Sequence, residues 1–338
     1  MHRREFLKRS AQAAISWTIL SAAPLRGANA RLRIGVIGCG ARGGFDARLM
    51  RGDVEIAALC DVDKSRIAVA QSWAPRAKVY PDFRRLLDDR EIDAVIVATP
   101  GRWRARMAIL ACEAGKDVYL QAPVIYRLAE GKALREAVRR TKRIVQTGAP
   151  SHSAGHLMEA AQIVRGGRIG QVRFVRAGSC GVHAFHTVHQ AMGADAPLTV
   201  SASGRQATFE YPTFVMSWER DRPGGVAFYG TEAALFVDAA GVAVYPQSRA
   251  AANPTPLPPE HFVDNVLARK EPAANIDAGV RAAAIAGIAN IALRTGRKLA
   301  WDDAQWRFPG DAEANRLLME PLPWGPDAEL MHDFGCAA

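Results

Sequence analysis

"LRIGVIGCGARGG", residues 32–44, joins a short apolar run to a glycine-rich turn. Gly38, Gly40 and Gly43 form the pattern G-x-G-x-x-G, and Asp61 ends the next apolar run about 20 residues further on. A strand that enters such a turn, followed by a helix and a second strand with a terminal carboxylate, is typical of a dinucleotide-binding unit. The stretch therefore predicts a nucleotide site beyond the end of the first strand.

The expected ligand of this turn is NAD or NADP. Glycines let the backbone approach a pyrophosphate, whose charge the N-terminus of the following helix meets. Asp61 is suited to accept hydrogen bonds from the adenosine ribose, which favours NAD, while Arg42 and Arg66 keep NADP open. A glycine turn without a ligand is the alternative. The residues expected to contact the cofactor are Gly38, Gly40, Ala41, Arg42, Gly43, Asp61, Thr99, Pro100 and Gln121.

Apolar runs alternate with amphipathic stretches through the first half of the chain. The runs are "LRIGVI", "VEIAAL", "DAVIVA", "DVYL" and "RIVQTG". Strands that alternate with helices predict a parallel, doubly wound sheet of the Rossmann type. The fold class expected for the whole chain is α/β.

The first thirty residues differ from the rest. "MHRREFLK" places Arg3 and Arg4 before a modest apolar stretch, and "GANA" ends the segment with small residues. This order predicts a twin-arginine export signal cleaved after Ala30, with a disordered basic tail as the alternative. The expected location is therefore the periplasm or outside the cell, after passage through the twin-arginine machinery. The predicted domains are 1–30, 31–150 and 151–338.

The charge pattern, the apolar runs and the cysteines each argue against one feature: a nucleic-acid partner, membrane insertion and a disulfide framework. The chain has 44 Lys and Arg residues against 34 Asp and Glu, but the basic residues are interleaved with acidic ones. Such faces are solvated, so no nucleic-acid partner is expected. No apolar run reaches the roughly 18 residues needed to span a bilayer, so no stable membrane insertion is expected. Cys39, Cys60 and Cys112 fall in the predicted core as free thiols, so no disulfide framework is expected with Cys180 or Cys336.

Together these motifs resemble the glucose–fructose oxidoreductase/inositol dehydrogenase (Gfo/Idh/MocA) family, and its exported bacterial members in particular. The matching stretches are "RIGVIGCGARGG", "AALCDVD", "VIVATP", "AGKDVYLQAP", "RGGRIGQV" and "LRTGRKLAWDDAQWRFPGDAEANRLL". The resemblance implies a second domain with an open, mostly antiparallel sheet and a substrate among sugars, polyols or their derivatives. The strands expected there are in "QVRFVRAG", "LTVSAS", "FVMSWE", "GVAFYG", "ALFVD" and "VAVYP", and a long helix is expected to end at Gly296.

The same resemblance predicts that the usual proton-handling groups are missing. The family motif Glu-Lys-Pro corresponds to Gln121-Ala122-Pro123, so its lysine is replaced by Ala122. A family histidine that acts as acid and base corresponds to His183, but the aspartate four residues before it is replaced by Ser179. His183 is thus the one catalytic candidate that the resemblance leaves.

His183 recurs with His186 and His189 at intervals of three in "HAFHTVHQ". One interpretation makes His183 a general base. A metal site that also uses His152 or His156 is a second, although no third ligand at suitable spacing is evident, so no metal is expected. Ordinary packed histidines are the third.

Arg102 and Arg104 follow a strand end at the mouth of the expected crevice. They are candidates to bind a substrate carboxylate or phosphate, with a solvated helical turn as the alternative.

Three functions remain open from the sequence. The first is an exported NAD(P)-dependent oxidoreductase that acts on a sugar-like substrate and holds its cofactor tightly. The second is a catalytically inactive protein that binds a nucleotide or a small ligand. The third is a homo-oligomeric scaffold that associates through the open sheet of its second domain.

Overall fold

The computed structural model describes residues 31–50, 54–148, 155–178, 181–222, 224–238, 240–246, 249–250 and 260–321. The predicted export signal lies outside these ranges, as do His152, Ser179, Cys180 and Cys336. The two β-sheets lie in one compact unit that begins at Leu32.

The first half of this unit is a six-stranded parallel sheet with the order β3-β2-β1-β4-β5-β6. Its strands are β1 Leu32–Ile37, β2 Val54–Cys60, β3 Lys78–Tyr80, β4 Ala94–Val97, β5 Asp117–Gln121 and β6 Val145–Gly148. Its helices are α1 Ala41–Met50, α2 Lys64–Trp73, α3 Phe83–Asp88, α4 Gly101–Glu113 and α5 Glu130–Thr141. The predicted doubly wound sheet is confirmed.

The strand order explains where a ligand can enter. β1 lies between β2 and β4, so the connections that leave β1 and β4 run in opposite directions across the sheet. This reversal opens a crevice beyond the carboxyl ends of these two strands. All four residues of β4 are buried, as expected of a central strand covered on both faces.

The second half contains a nine-stranded sheet with the order β14-β13-β12-β11-β7-β10-β9-β8-β15. Only β7 and β10 pair in parallel among the neighbours in this sheet, so the expectation of a mostly antiparallel sheet is confirmed. Its strands are β7 Phe174–Ala177, β8 Thr199–Ser203, β9 Gln206–Glu210, β10 Val215–Glu219, β11 Val226–Tyr229, β12 Ala234–Asp238, β13 Gly241–Tyr245, β14 Arg249–Ala250 and β15 Leu299–Ala300. The helices are α6 Gly155–Arg165, α7 Gly181–Met192, α8 Glu260–Ala268, α9 Ile276–Thr295 and α10 Ala312–Leu317.

Helix α9 packs the two halves together. It begins at the cap Asn275, whose side chain accepts a hydrogen bond from the Ala278 N–H, and ends at Gly296 with φ +64°. It contacts α5 and β6 on one side and α7 and β8 on the other. Although it is long and apolar enough to cross a membrane, 78% of its most apolar window is buried inside the protein, as expected of a core helix.

The three cysteines predicted in the core are confirmed as buried free thiols. They are Cys39, Cys60 and Cys112. Burial is also the largest cause that raises the pKa of each thiol, to about 12. Thiols with such pKa values remain protonated and inert near neutral pH.

Candidate functional site

The glycine turn between β1 and α1 has the shape that a dinucleotide needs. Gly38 has φ +94°, and a Cβ on Gly43 would lie 1.9 Å from the Gly38 carbonyl oxygen, so both positions require glycine. Gly40 differs, because a Cβ there would meet only the Arg66 Nη1 atom, 3.8 Å away. Its open face is the side from which a pyrophosphate can approach the backbone.

Asp61 is anchored to this turn by both oxygens of its carboxylate. Oδ2 accepts a hydrogen bond of 2.8 Å from the Cys39 N–H, and Oδ1 accepts one of 2.9 Å from the Asp63 N–H. The carboxylate is half-buried at the carboxyl end of β2. Each oxygen keeps one further lone pair that is available to a ligand hydroxyl.

Arg66 lies close to the glycine turn but already has a carboxylate partner. Its Nε atom is 3.5 Å from Asp63 Oδ2, three residues earlier on the same segment. Both side chains are about half exposed, so the pair is weak and can rearrange.

Asp46 is the site residue that sequence reasoning missed. It projects from α1 with 1% of its surface exposed, and its Oδ2 accepts a hydrogen bond from Gln121 Nε2. Arg42, one turn earlier, places Nε 3.4 Å from Asp46 Oδ1. Burial outweighs both contacts and raises the pKa of Asp46 to about 6.

Gln121 ends β5 and is held from two sides. A Cβ on Gly148 would lie 2.8 Å from Gln121 Nε2, so the absence of a side chain on β6 makes room for the amide. Gln121 is 4% exposed and faces Asp46 instead of solvent. In this position it orients the carboxylate of Asp46 rather than offering a free group to a ligand.

Arg104 supports the corner that follows Gln121, which is formed by Ala122 and Pro123. Its Nη1 atom donates to the carbonyl oxygens of Ala122 (2.5 Å) and Pro123 (3.1 Å), and its Nε atom donates to the Thr99 carbonyl oxygen (2.7 Å). The ends of β4 and β5 are thereby joined by one guanidinium. Burial, followed by the positive charge of Arg42, lowers the pKa of Arg104 to about 10.

The neighbours of Arg104 are differently placed. Arg102 is exposed, and Trp103 is 42% exposed, on the first turn of α4. Pro100 precedes that helix as its cap residue, and the Thr99 hydroxyl donates to the Met107 sulfur at 3.5 Å. Of the two arginines predicted at the crevice mouth, Arg104 is therefore built into the corner, whereas Arg102 faces solvent.

His183 lies in the first turn of α7. Burial, and then the positive charge of Arg42, lower its pKa to about 4, and its Nδ1 atom is buried without a hydrogen bond among the described residues. His186 is buried, while His189 Nε2 lies 2.8 Å from the Tyr211 hydroxyl. The three histidines therefore have separate environments.

A metal site is not formed by the described part of the chain, where no three His, Cys, Asp or Glu side chains are close enough to share an ion. His156 is buried in α6, and burial lowers its pKa. What the fold brings together instead is Arg42, Asp46, Arg104 and Gln121, with His183 within the electrostatic influence of Arg42.

Comparison with known families matches both halves of the chain. Residues 32–149 match the model of the Gfo/Idh/MocA oxidoreductase family described as its NAD-binding Rossmann fold. Residues 226–325 match the model described as the C-terminal alpha/beta domain of the same oxidoreductase family.

Two curated relatives are similar over part of their length. A glycosyl hydrolase family 109 protein of Stenotrophomonas maltophilia is 32% identical over 197 residues, which are 53% of this chain and 42% of the relative. Inositol 2-dehydrogenase 2 of Saccharopolyspora erythraea is 31% identical over 175 residues, 51% of this chain and 49% of the relative. The chain thus spans less than half the length of each of these relatives.

Among solved structures, scyllo-inositol dehydrogenase from Lactobacillus casei, crystallised with NAD(H) and scyllo-inositol, has a similar fold. The TM-score is 0.68 at 16% identity, and the match covers 80% of this chain and 99% of that one. At this identity the likeness extends to the fold alone.

Proposed function

The chain belongs to the Gfo/Idh/MocA family of NAD-binding oxidoreductases, and from this membership we propose that it binds a nicotinamide dinucleotide and transfers hydride between it and a sugar-like alcohol. The observation that carries the proposal is the glycine turn, open at Gly40 and bounded by the anchored carboxylate of Asp61. The bound cofactor supplies the hydride acceptor or donor, and the chain supplies its position.

NAD is the proposed cofactor rather than NADP. The Asp61 carboxylate disfavours a 2′-phosphate and is suited to accept from ribose hydroxyls, and Arg66, which lies beside Gly40 of the turn, is paired with Asp63. Release of Arg66 from this pair is what NADP binding would need.

Export is part of the proposal and rests on the first thirty residues of the sequence. A twin-arginine signal carries folded protein, and outside the cytoplasm no free nicotinamide pool replenishes a lost cofactor. The protein is therefore proposed to hold its cofactor tightly in the periplasm or outside the cell and to recycle it between two substrates. We also propose that it forms a homo-oligomer through its second sheet.

The chemistry of the corner restricts how such an enzyme moves a proton. Ala122 occupies the position where the family resemblance predicts lysine, and it has no titratable group. His183, with its pKa lowered to about 4, is neutral at pH 7 and a weak base. Asp46, with its pKa raised to about 6, has the better matched acidity but is buried behind Gln121.

These same features favour a second candidate function, a catalytically inactive protein that binds the nucleotide or a small ligand. In that case the fold keeps the cofactor turn while the corner has lost its acid–base group. Slow hydride transfer separates the two candidates, because removal of one acid–base group typically lowers the rate by ~10²–10⁴ and does not abolish it.

The test is the nucleotide content of the purified protein, followed by turnover. The protein is denatured, and the released material is identified by absorbance and mass. We expect about one NAD per chain, and NAD-dependent oxidation of inositols or hexoses in the loaded protein. A protein that carries no nucleotide and binds neither added NAD nor added NADP would exclude the proposal. A loaded protein without turnover would favour the inactive binding protein.

A further inference from the structure

Two arginines flank the crevice at which the strand order reverses. Arg42 lies on α1, the helix that follows β1, and Arg104 lies on α4, the helix that follows β4. The two guanidinium groups influence each other, because the charge of Arg42 contributes to the lowered pKa of Arg104. Two cationic side chains therefore lie beside the place where open α/β sheets bind their ligands.

Among the described residues, one carboxylate lies close to these two cationic side chains. Arg42 pairs with Asp46 at 3.4 Å. Arg104 donates to three backbone carbonyl oxygens, and no described carboxylate lies within ion-pair distance of it. The other titratable groups that face the cluster are His183 from α7 and Tyr119 from β5, and both are uncharged at pH 7. At neutral pH the cluster thus keeps an excess of one positive charge.

Arg104 is partly buried and its charge is met by carbonyl oxygens and by no described carboxylate, so the excess positive charge favours an anionic ligand. We propose that the crevice between Arg42 and Arg104 binds the carboxylate of a sugar acid, a polyol that carries one carboxylate group. This inference rests on the proposed function and names its substrate class. One carboxylate balances the single excess charge, and the guanidinium N–H groups of Arg42 and Arg104 that are not used in these contacts can donate to its oxygens.

The direction of Arg42 separates this subsite from the pyrophosphate site. The pyrophosphate is expected at the open face of Gly40, at the N-terminus of α1. The Arg42 side chain instead reaches one turn along α1 towards Asp46, whose other oxygen meets Gln121 at the end of β5. The two arginines could also be neutralised by a phosphate of the cofactor, and the experiment below distinguishes that case from binding of a substrate carboxylate.

The experiment measures binding to the full chain saturated with NADH by titration calorimetry. The probes are D-gluconate and its uncharged counterpart D-glucitol. We expect gluconate to bind at least about tenfold more tightly than glucitol, with a preference that declines as salt is added. Arg42→Gln should remove the preference while glucitol binding is kept, and Arg42→Lys should retain part of it. The exposed Arg48, on the same helix, gives the control Arg48→Gln, which should change neither affinity.

A second readout comes from Asp46. When Asp46 takes up a proton as the pH falls from 7 to 5, the excess positive charge grows, so gluconate affinity should rise over this range. Asp46→Asn should bind gluconate at pH 7 as the unaltered chain does at pH 5.

Two results would overturn the inference. One is equal affinity for gluconate and glucitol in a chain that binds NADH. The other is a gluconate preference that exists without cofactor and vanishes on saturation with NADH, which would assign the arginines to a cofactor phosphate. Failure to bind NADH at all contradicts the proposed function separately, and the titration without cofactor then still reports on the subsite.

Discussion

Gln121 donates a hydrogen bond from Nε2 to Oδ2 of Asp46, which links the end of strand β5 to the middle of helix α1 across 75 residues of sequence. An ionised carboxylate is an acceptor only, so its partner in a buried site has to be a donor. The amide of Gln121 meets this need, and a glutamate at position 121 would place two carboxylates against each other. The neutral corner and the buried Asp46 are therefore matched to each other.

Asp46 should make the stability of the protein depend on pH in an unusual direction. Its folded pKa, about 6, is above the ordinary aspartate value of 3.8, so the folded state retains a proton that the unfolded state has lost between these pH values. Ionising the buried carboxylate of Asp46 lowers the free energy of unfolding. This loss is absent below about pH 4, grows up to about pH 6 and is constant above it. It reaches at most about 3 kcal/mol. Asp46→Asn should remove it, so the variant should gain stability relative to the unaltered chain as pH rises from 4 to 7.

Urea unfolding at several pH values between 4 and 7 measures this difference. The exposed Asp88 provides the control Asp88→Asn, for which no such trend is expected. If the curves for Asp46→Asn and the unaltered chain run parallel over this range, Asp46 is not held in the protonated form by burial.

Substitutions at two glycines of the turn should have different effects, one on folding and the other on nucleotide binding. Gly43→Ala places a methyl group 1.9 Å from the backbone oxygen of Gly38, which cannot move aside without disrupting β1, so we expect a loss of about 3 kcal/mol or more. Gly40→Ala meets only the flexible end of Arg66 and should fold normally. It should nevertheless lower NAD affinity at least about tenfold, because the methyl group occupies the approach of the pyrophosphate.

Thermal unfolding and NAD titration of the two variants test this separation. A Gly40→Ala protein that folds and binds NAD as tightly as the unaltered chain would show that the pyrophosphate does not use this face of the turn.

Asp61 should contribute to NAD binding in two ways, by holding the backbone of the turn and by accepting hydrogen bonds from the ribose. Asp61→Ala removes the acceptor for the Cys39 and Asp63 N–H groups as well as the expected ribose partner. Each hydrogen bond to a charged group contributes about 1.5–3 kcal/mol, so NAD affinity should fall by at least about tenfold. The neighbouring Asp63 caps α2 by accepting from the Ser65 N–H. Asp63→Ala should therefore cost about 1 kcal/mol of stability and leave NAD affinity unchanged, as fluorescence titration can check.

Sequence patterns predicted the sheets better than they predicted the site. Runs of β-branched residues and the glycine turn specify local structure, and most of the strands formed where they were expected. β3, β9, β14 and β15 were not predicted, because β3 has three residues, β14 and β15 have two each, and β9, "QATFE", is largely polar. Asp46 was missed because nothing local marks it as buried, and its partner Gln121 is distant in sequence. Arg104 was predicted to bind a substrate anion or to lie in a solvated turn, and its support of the corner was missed, since its carbonyl partners become close only when β4 and β5 pair.

Restoring the missing groups should reveal how much of an active site remains. Ala122 is half-buried, and its carbonyl oxygen is held by Arg104 independently of its side chain, so the corner can accept a new side chain without losing its support. Ala122→Lys combined with Ser179→Asp supplies the lysine and the aspartate that the family resemblance predicts. We expect NAD-dependent oxidation of a polyol to rise by ~10²-fold or more.

The rate is measured as NADH formation with the same polyol for all variants. Ala122→Met with Ser179→Asp is the matched control, because methionine has similar length without a charge, and it should give no increase. A gain in the lysine variant alone means that the cofactor turn, the crevice and the substrate pocket are still aligned for hydride transfer. No gain in a variant that folds and binds NAD would contradict the oxidoreductase proposal and favour the inactive binding protein, because the acid–base group would then not be the element that limits the reaction.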